Sequence, residues 1–231
     1  MTLRAIFFDA AGTLIYLPRR VGEHYAEIAA RFGHKLDPES LERAFRAAWR
    51  AAPPRPATAD GGARPDDDRG WWRALVERVL EHVLPAASRA GFAADDYFEM
   101  LYAHFAQPGV WAAYPEVEET LRELRRRRLK LAVVSNFDRR LLRVLADLGL
   151  AQYFERVVLS SEVGADKPDP RIFQRALDVL GCAAHEVLHV GDDPVRDGGA
   201  AAIGIRVLHV DRPAQSLVKV LTLLDDAGSD A

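Results

Sequence analysis

The ten residues from Ala5 to Leu14, AIFFDAAGTL, decide the fold of this chain. An apolar run ends abruptly at Asp9, and a turn of small residues follows it. This pattern predicts a buried strand that delivers a carboxylate to the end of a sheet, with backbone amides behind it that are free to bind an anion. A carboxylate in this place can act as a nucleophile or as a metal ligand. Ala11 stands where a second acid would complete a nucleophile and acid/base pair.

The rest of the chain supplies the other strands of this sheet. From about residue 115 onward, predicted strands alternate with predicted helices, which is typical of a parallel α/β sheet. The predicted strands are Lys130–Val134, Arg156–Leu159, Glu186–Val190 and Ile205–Val210. Between the first strand and this region, the chain shows helical periodicity and no strand pattern. We therefore expect an α/β core formed by residues 1–15 and 107–231, with an all-helical cap domain inserted at 16–106.

Polar residues follow four of the predicted strands. They are Asp9; Ser135 and Asn136; Asp166 and Lys167; and Asp192 and Asp193, with Asp197 shortly after. In open parallel sheets, ligands bind outside the carboxyl ends of the strands, so we expect these side chains to meet at one site. Several carboxylates near one lysine would raise some pKa values, and a divalent cation such as Mg²⁺ would resolve that repulsion.

The composition excludes several classes of function. The chain has 231 residues and a net charge of -3, so it lacks the basic footprint of a nucleic-acid-binding protein. No apolar run approaches the ~20 residues of a membrane span, and we expect neither a signal peptide nor a membrane partner. The single cysteine, Cys182, cannot form an internal disulfide and indicates a reducing compartment, so we expect a cytoplasmic protein. The oligomeric state is not predicted.

The order of these motifs resembles that of the haloacid dehalogenase-like hydrolase superfamily, in the type with a helical cap inserted after the first motif. The resemblance implies a Rossmann-like core and, in most members, Mg²⁺-dependent hydrolysis of a small phosphorylated substrate through an aspartyl-phosphate. It assigns Asp9 as the nucleophile and Lys167 as the lysine that steadies it. The implied phosphoryl-binding residues are Gly12, Thr13, Ser135 and Asn136. The implied metal ligands are Asp9, the backbone carbonyl of Ala11 and Asp192, with Asp193 and Asp197 beside them.

Ala11 departs from the pattern of the family's phosphatases, whose acid at this position protonates the leaving alcohol. Alanine keeps the carbonyl and loses proton transfer, which is typically worth about 10²–10⁴-fold in rate. A phosphatase could act on activated phosphates or recruit an acid from the cap, where Glu23 and His24 are candidates, although both read more simply as exposed helix residues. A phosphonatase would need a cap lysine, and only Lys35 is available.

Two further alternatives follow from the same substitution. A 2-haloacid dehalogenase needs no acid because its leaving group is a halide, but the Gly-Asp-Asp cluster at 191–193 would repel its carboxylate substrate. A weakened enzyme could instead act as a binding protein on the same fold. Substrate specificity is expected in the cap, where Tyr16, Arg19 and Arg20 are candidates for contact with an anion, and hinge or surface residues are an equally good interpretation of these three. The Pro-, Gly- and Asp-rich segment 52–70 is interpreted as a mobile loop.

Overall fold

Five strands form a parallel sheet in the computed structural model, which describes residues 3–59, 61–89, 91–212 and 215–229. In chain order the strands are β1 (Ala5–Phe8), β2 (Ile15–Tyr16), β3 (Ala112–Ala113), β4 (Lys130–Ser135), β5 (Arg156–Leu159), β6 (Val187–Gly191) and β7 (Arg206–His209). The order across the sheet is β5-β4-β1-β6-β7, while β2 and β3 pair separately and antiparallel. The predicted α/β fold with a Rossmann-like parallel sheet is thereby confirmed.

Strand β1 is central because all four of its residues are apolar and fully buried. Phe8 lies in register with Val133 of β4 on one side and with Val190 of β6 on the other. The carboxyl ends of β1, β4 and β6 therefore lie side by side. This register brings Asp9, Ser135 and Asp192, each just past or at a strand end, to one edge of the sheet.

The chain divides into two compact units. Unit 1 consists of Met1–Tyr16, Pro56–Arg64 and Ala112–Ala231, and unit 2 consists of Leu17–Arg55 and Pro65–Trp111. Unit 1 contains the sheet and the helices α6 (Val117–Arg126), α7 (Arg140–Asp147), α8 (Ser160–Val163), α9 (Pro170–Leu180) and α10 (Lys219–Ser229), together with short 3-10 helices at Ala151–Tyr153, Ala184–Glu186 and Asp197–Ile203. Pro56–Arg64, which the sequence places in the helical insertion, thus groups with the sheet.

Helix α9 follows the motif that carries Lys167, and local sequence fixes where it begins. The side chain of Asp169 accepts a hydrogen bond from the backbone amide of Arg171, and Pro170 occupies the first turn. Both are favoured there because the first amides of a helix lack partners within it. On its inner face, Ile172 and Phe173 are fully buried against the sheet residues Phe7 and Val134.

Unit 2 is helical. Its helices are α1 (Val21–Arg31), α2 (Pro38–Ala51), α3 (Arg69–Val83), α4 (Ala86–Arg89) and α5 (Ala94–His104). They share an apolar core that includes Ile28, Leu41, Val79 and Tyr97. None of the helices in the described ranges of either unit combines the length and the hydropathy needed to span a bilayer.

Candidate active site

Lys167 links two carboxylates at the carboxyl end of the sheet. Its Nζ lies 2.7 Å from Oδ1 of Asp9 and 2.6 Å from Oδ1 of Asp197. Lys167 is only 4% exposed and Asp197 only 1%, so these charges interact with little screening by water. The ammonium therefore holds Asp9 in place and neutralises part of the negative charge around it.

The pKa values follow from this arrangement. Burial acts to lower the pKa of Lys167, but the charges of Asp9 and Asp197 outweigh it and raise that pKa. Burial acts to raise the pKa of Asp197, but the hydrogen bond from His189 and the charge of Lys167 hold it well below its usual range. Burial, followed by the charges of Asp9 and Asp197, raises the pKa of Asp192 to about 6. Asp192 is thus the carboxyl group whose charge is least compensated.

Asn136 positions Lys167 through its backbone. The Asn136 side chain donates from Nδ2 to the Lys167 carbonyl at 2.9 Å and accepts at Oδ1 from the Lys167 amide at 2.6 Å. The side-chain amide of Asn136, which the sequence assigns to substrate binding, is therefore hydrogen-bonded to the backbone of Lys167. Ser135, the last residue of β4, is 2% exposed and lies beside Asn136. The peptide bond between Lys167 and Pro168 is cis.

Gly12 allows the turn after β1 to approach Asp192 closely. Its φ is +90°, and a Cβ at this position would lie 2.3 Å from Oδ2 of Asp192. The neighbouring hydroxyl of Thr13 donates to Oδ1 of Asp192 at 3.2 Å. Gly12 and Thr13, the two residues predicted in this turn, thus face or contact the carboxylate of Asp192. Ala11 pairs with Ile15 through the backbone, and its methyl side chain cannot transfer a proton.

Asp193 and Asp197 have different roles from one another. Oδ1 of Asp193 accepts hydrogen bonds at 2.9 Å from the backbone amides of Val195 and Arg196, so this carboxylate shapes its own turn. Asp197 instead faces inward, and its Oδ2 accepts from the Asp193 amide at 3.0 Å. Asp9, Asp192 and Asp197 can each direct one oxygen so that all three lie within 4.8 Å of one another. Oxygen donors at this spacing suit a hard divalent cation.

Two residues of the site were not identified from the sequence. His189, on β6, is fully buried, and its Nε2 lies 2.8 Å from Oδ1 of Asp197. Arg212 donates from Nη2 to the Thr13 carbonyl at 2.8 Å, pairs with Glu116 and stacks on Tyr114. A polar residue inside an apolar strand was the available signal for His189. Arg212 has no local signal, since its contacts come from distant parts of the chain.

The candidates that the sequence offers in the helical insertion belong to unit 2, apart from Tyr16, which ends unit 1. Arg19 pairs with Glu23 and Glu27, and Arg20 pairs with Glu39.

Interpreting His24 as an exposed helix residue is wrong: it is 2% exposed, and its Nδ1 lies 2.9 Å from Nε2 of His104. Burial, followed by the charges of His104 and Arg19, lowers the pKa of His24 to about 4, so it is neutral at pH 7. Lys35 is exposed and lines an open groove of about 590 Å³.

Comparison with known proteins agrees with this geometry. The family model for haloacid dehalogenase-like hydrolases matches residues 3–204. The human protein named haloacid dehalogenase-like hydrolase domain-containing protein 3 is 37% identical over 217 residues, which cover 92% of this chain and 84% of that protein. A phosphoserine phosphatase of Thermus thermophilus is 41% identical over 144 residues, covering 62% of this chain and 57% of the enzyme.

The fold also matches solved structures. A putative beta-phosphoglucomutase from Thermotoga maritima aligns with a TM-score of 0.70 and 22% sequence identity. The alignment covers 95% of this chain and 91% of that structure. Identity this low supports the fold and says nothing of the substrate.

Proposed function

Because the chain belongs to the haloacid dehalogenase-like hydrolase family, we propose that it is a Mg²⁺-dependent phosphatase of a small phosphorylated metabolite. The observation that carries this proposal is the contact of Lys167 with Asp9, beside the acidic group Asp192 and Asp197. The similarity to a phosphoserine phosphatase supports phosphate ester hydrolysis over other chemistries of the family. The free cysteine Cys182 fits a cytoplasmic location.

The donor set fits Mg²⁺. Lys167 contacts Asp9 and Asp197, and the third carboxyl of the group, Asp192, has a pKa raised first by burial and then by the charges of these two carboxylates. Asp9, Asp192 and the backbone carbonyl of Ala11 would hold the ion, with Asp193 and Asp197 shaping the loop beside them. When bound, the cation supplies Lewis-acid stabilisation of phosphoryl oxygens. Asp197 is the least suited of the carboxylates to ligate directly, because Lys167 and His189 already occupy its Oδ1.

Asp9 would act as the nucleophile. One of its carboxylate oxygens forms a bond to phosphorus while the bond from phosphorus to the leaving oxygen breaks, which gives an aspartyl-phosphate. Lys167, whose Nζ contacts Oδ1 of Asp9, would orient the carboxylate for this attack. The Ser135 hydroxyl and the turn at Gly12 and Thr13 would bind the phosphoryl oxygens. Asn136, whose side-chain amide bonds to the Lys167 backbone, would hold the lysine loop beside them. Water then attacks the phosphorus of the aspartyl-phosphate, and the bond from phosphorus to the Asp9 oxygen breaks. The free carboxylate is restored, phosphate is released, and the proton lost by the water passes to solvent or to the departed alkoxide.

The residue at position 11 narrows the substrate class. Since alanine cannot protonate the leaving oxygen, the enzyme would favour esters whose alcohols leave as stable anions. His24 does not make up for the loss at neutral pH, because the lowered pKa of this buried group leaves it as a neutral imidazole without the acidic proton of an imidazolium. We further propose that unit 2 is the cap domain and selects the substrate, with Tyr16, Arg19 and Arg20 as candidates for contact with its anionic part.

A 2-haloacid dehalogenase is the second candidate, and Ala11 is the observation in its favour, since a leaving halide needs no proton. The uncompensated charge at Asp192 argues against it, because it would repel a carboxylate substrate. A binding protein without turnover is a further alternative from a different class. The intact contact between Lys167 and Asp9 argues against a complete loss of chemistry.

One assay separates these functions. Purified protein is supplied with p-nitrophenyl phosphate, an alkyl phosphate or 2-chloropropionate, each with Mg²⁺ and with EDTA. We expect phosphate release that requires Mg²⁺ and is faster from the aryl ester than from the alkyl ester. Chloride release in EDTA would establish the dehalogenase instead. No turnover of any compound would favour the binding role.

A further inference from the structure

The segment Pro56–Arg64, here called the strap, is hydrogen-bonded to the loop that leads to Lys167. The backbone amide of Thr58 donates to the Gly164 carbonyl at 2.9 Å, and the amide of Arg64 donates to the Ser161 carbonyl at 2.7 Å. Arg171, at the start of α9, donates from Nη1 to the Thr58 carbonyl at 3.0 Å. A segment that the sequence suggests is mobile is thus attached to unit 1 at several points.

Arg64 is the buried anchor of the strap. It is 6% exposed, and its Nη2 lies 2.8 Å from Oδ1 of Asp166, while its Nε donates to the Pro56 carbonyl at 2.9 Å. One guanidinium therefore closes the strap on itself and binds the residue next to Lys167. A buried arginine is costly unless it is paired, so its position here is strongly constrained.

The geometry points to Arg64 as a positioning residue for Lys167, acting through Asp166. The Asn136 side chain is hydrogen-bonded to the Lys167 backbone, and the Arg64 guanidinium pairs with the side chain of Asp166, the residue before it. With the adjacent residues Asp166 and Lys167 both held, the Lys167 side chain has a defined origin from which to reach Asp9 and Asp197. A shift of about 1 Å in such a group can cost about 10²-fold in rate.

Close packing beside the anchor supports this role. Gly164 has a φ of +67°, and a Cβ there would lie 1.9 Å from Oγ1 of Thr58 and 2.3 Å from the Gly62 carbonyl oxygen. The Thr58 hydroxyl itself donates to that Gly62 carbonyl at 2.7 Å. Thr58 and Gly62 of the strap therefore fit against the core only because residue 164 lacks a side chain.

The first test measures hydrogen exchange and needs no substrate. The Lys167 amide, which donates to Asn136, is followed in peptides covering residues 163–169 of the full chain. We expect Arg64→Met to speed its exchange at least about 10-fold and Arg64→Lys to restore much of the protection. Arg171→Met is the control: it removes the contact to the Thr58 carbonyl, together with the Arg171 pair with Asp169, and leaves the pair of Arg64 with Asp166 in place. Unchanged exchange in a folded Arg64→Met variant would overturn the inference.

The second test measures catalysis and rests on the proposed phosphatase function. With p-nitrophenyl phosphate and Mg²⁺, we expect Arg64→Met to lower kcat about 10- to 100-fold with little change in KM. Asp166→Asn should lower kcat by a similar factor. The double variant, Arg64→Met with Asp166→Asn, should have a kcat no lower than that of either single variant. Additive losses, or an equal loss in Arg171→Met, would contradict positioning through Asp166. If the wild type has no activity, the proposed function fails and the exchange result still decides the role of Arg64.

Discussion

His189 donates a hydrogen bond to Asp197, with Nε2 lying 2.8 Å from Oδ1. The same oxygen contacts Nζ of Lys167 at 2.6 Å, so the ring and the ammonium share one acceptor. Since the pKa of Asp197 is well below its usual range, the carboxyl is ionised and Nε2 carries the ring proton. A buried strand residue thereby orients the carboxylate that orients the lysine.

We predict that His189→Leu lowers kcat about 10-fold, because Asp197 loses a hydrogen bond of the charged kind, worth about 1.5–3 kcal/mol. Nδ1 of His189 has no hydrogen-bond partner among the described residues, so removing the ring also removes an unsatisfied buried atom and moderates the loss of stability. Steady-state kinetics and thermal unfolding measure the two effects. His189→Gln keeps a donor and should retain more activity; equal losses in both variants would argue against the hydrogen bond.

Asp9→Asn should reduce phosphate release by at least about 10³-fold, because the amide cannot form the aspartyl-phosphate. Asp193→Asn is the matched control, since the side chain of Asp193 accepts amides of its own turn and does not contact Lys167 through any described atom. We expect a much smaller loss there. The measurement is phosphate release with Mg²⁺ on variants that unfold at wild-type temperature, and persistent activity in Asp9→Asn would refute the nucleophile assignment.

Ala11→Asp should raise turnover of an alkyl phosphate and change that of p-nitrophenyl phosphate less. A carboxyl group at this position would supply the missing proton to the poorer leaving group, within the ~10²–10⁴-fold range of such assistance. The ratio of kcat/KM for the two substrates is the measured quantity. A ratio that stays at the wild-type value, in a variant that still responds to Mg²⁺, would show that proton transfer is not what limits the enzyme.

Gly12→Ala should abolish most activity, because its Cβ would collide with the carboxylate of Asp192. Gly149→Ala separates this collision from backbone strain. Gly149 also has a positive φ, +69°, but nothing lies within 4 Å of the Cβ that alanine would add. Each variant should lose about 1 kcal/mol of stability from the left-handed conformation. Only Gly12→Ala should lose activity, as measured by phosphate release; loss in both would assign the effect to strain.

Unit 2 should lose stability in acid through His24. Its pKa is about 4 in the folded chain and about 6.5 when unfolded, so the unfolded state binds more protons between these values. The contribution is complete above pH 6.5 and is lost as the pH falls towards 4, by up to about 3 kcal/mol. Denaturant unfolding from pH 7 to pH 4 measures how the free energy of unfolding falls in acid, here called the acid limb. His24→Phe should flatten this acid limb. The control His82→Gln alters an exposed histidine of the same unit and should leave the limb unchanged; a wild-type limb in His24→Phe would contradict the assignment.

The sequence predicts the sheet well because each strand is a short apolar run that ends in a polar or small residue. Strands β4 and β5 begin at the predicted residues, Lys130 and Arg156. The pairing of β2 with β3 was missed, since two-residue strands carry no periodicity. His24 was misjudged because helix α1 buries it through packing with His104 and Phe105, residues far along the chain.

The strap shows most plainly what a linear pattern omits. Its Pro, Gly and Asp content is that of a loop, and nothing near Arg64 reveals a partner 102 positions away. Conversely, Asp9 at the end of β1 and Lys167 in the segment that follows β5 and α8 could be brought together from sequence, because the topology of a parallel sheet determines which strand ends meet. Long-range polar contacts made by loops have no comparable rule.

The strap also changes what counts as a separable module. The chain passes from one unit to the other four times, after residues 16, 55, 64 and 111, and not twice as in a simple insertion. Excising 17–111 at its two outer junctions would therefore remove Arg64 and leave the Asp166 carboxylate without that partner. Exchanging the helical insertion between relatives would likewise replace part of the catalytic unit. On the proposal that unit 2 selects the substrate, a recombinant with new helices would keep the pair of Arg64 with Asp166 only by preserving residues 56–64 or acquiring a matching strap.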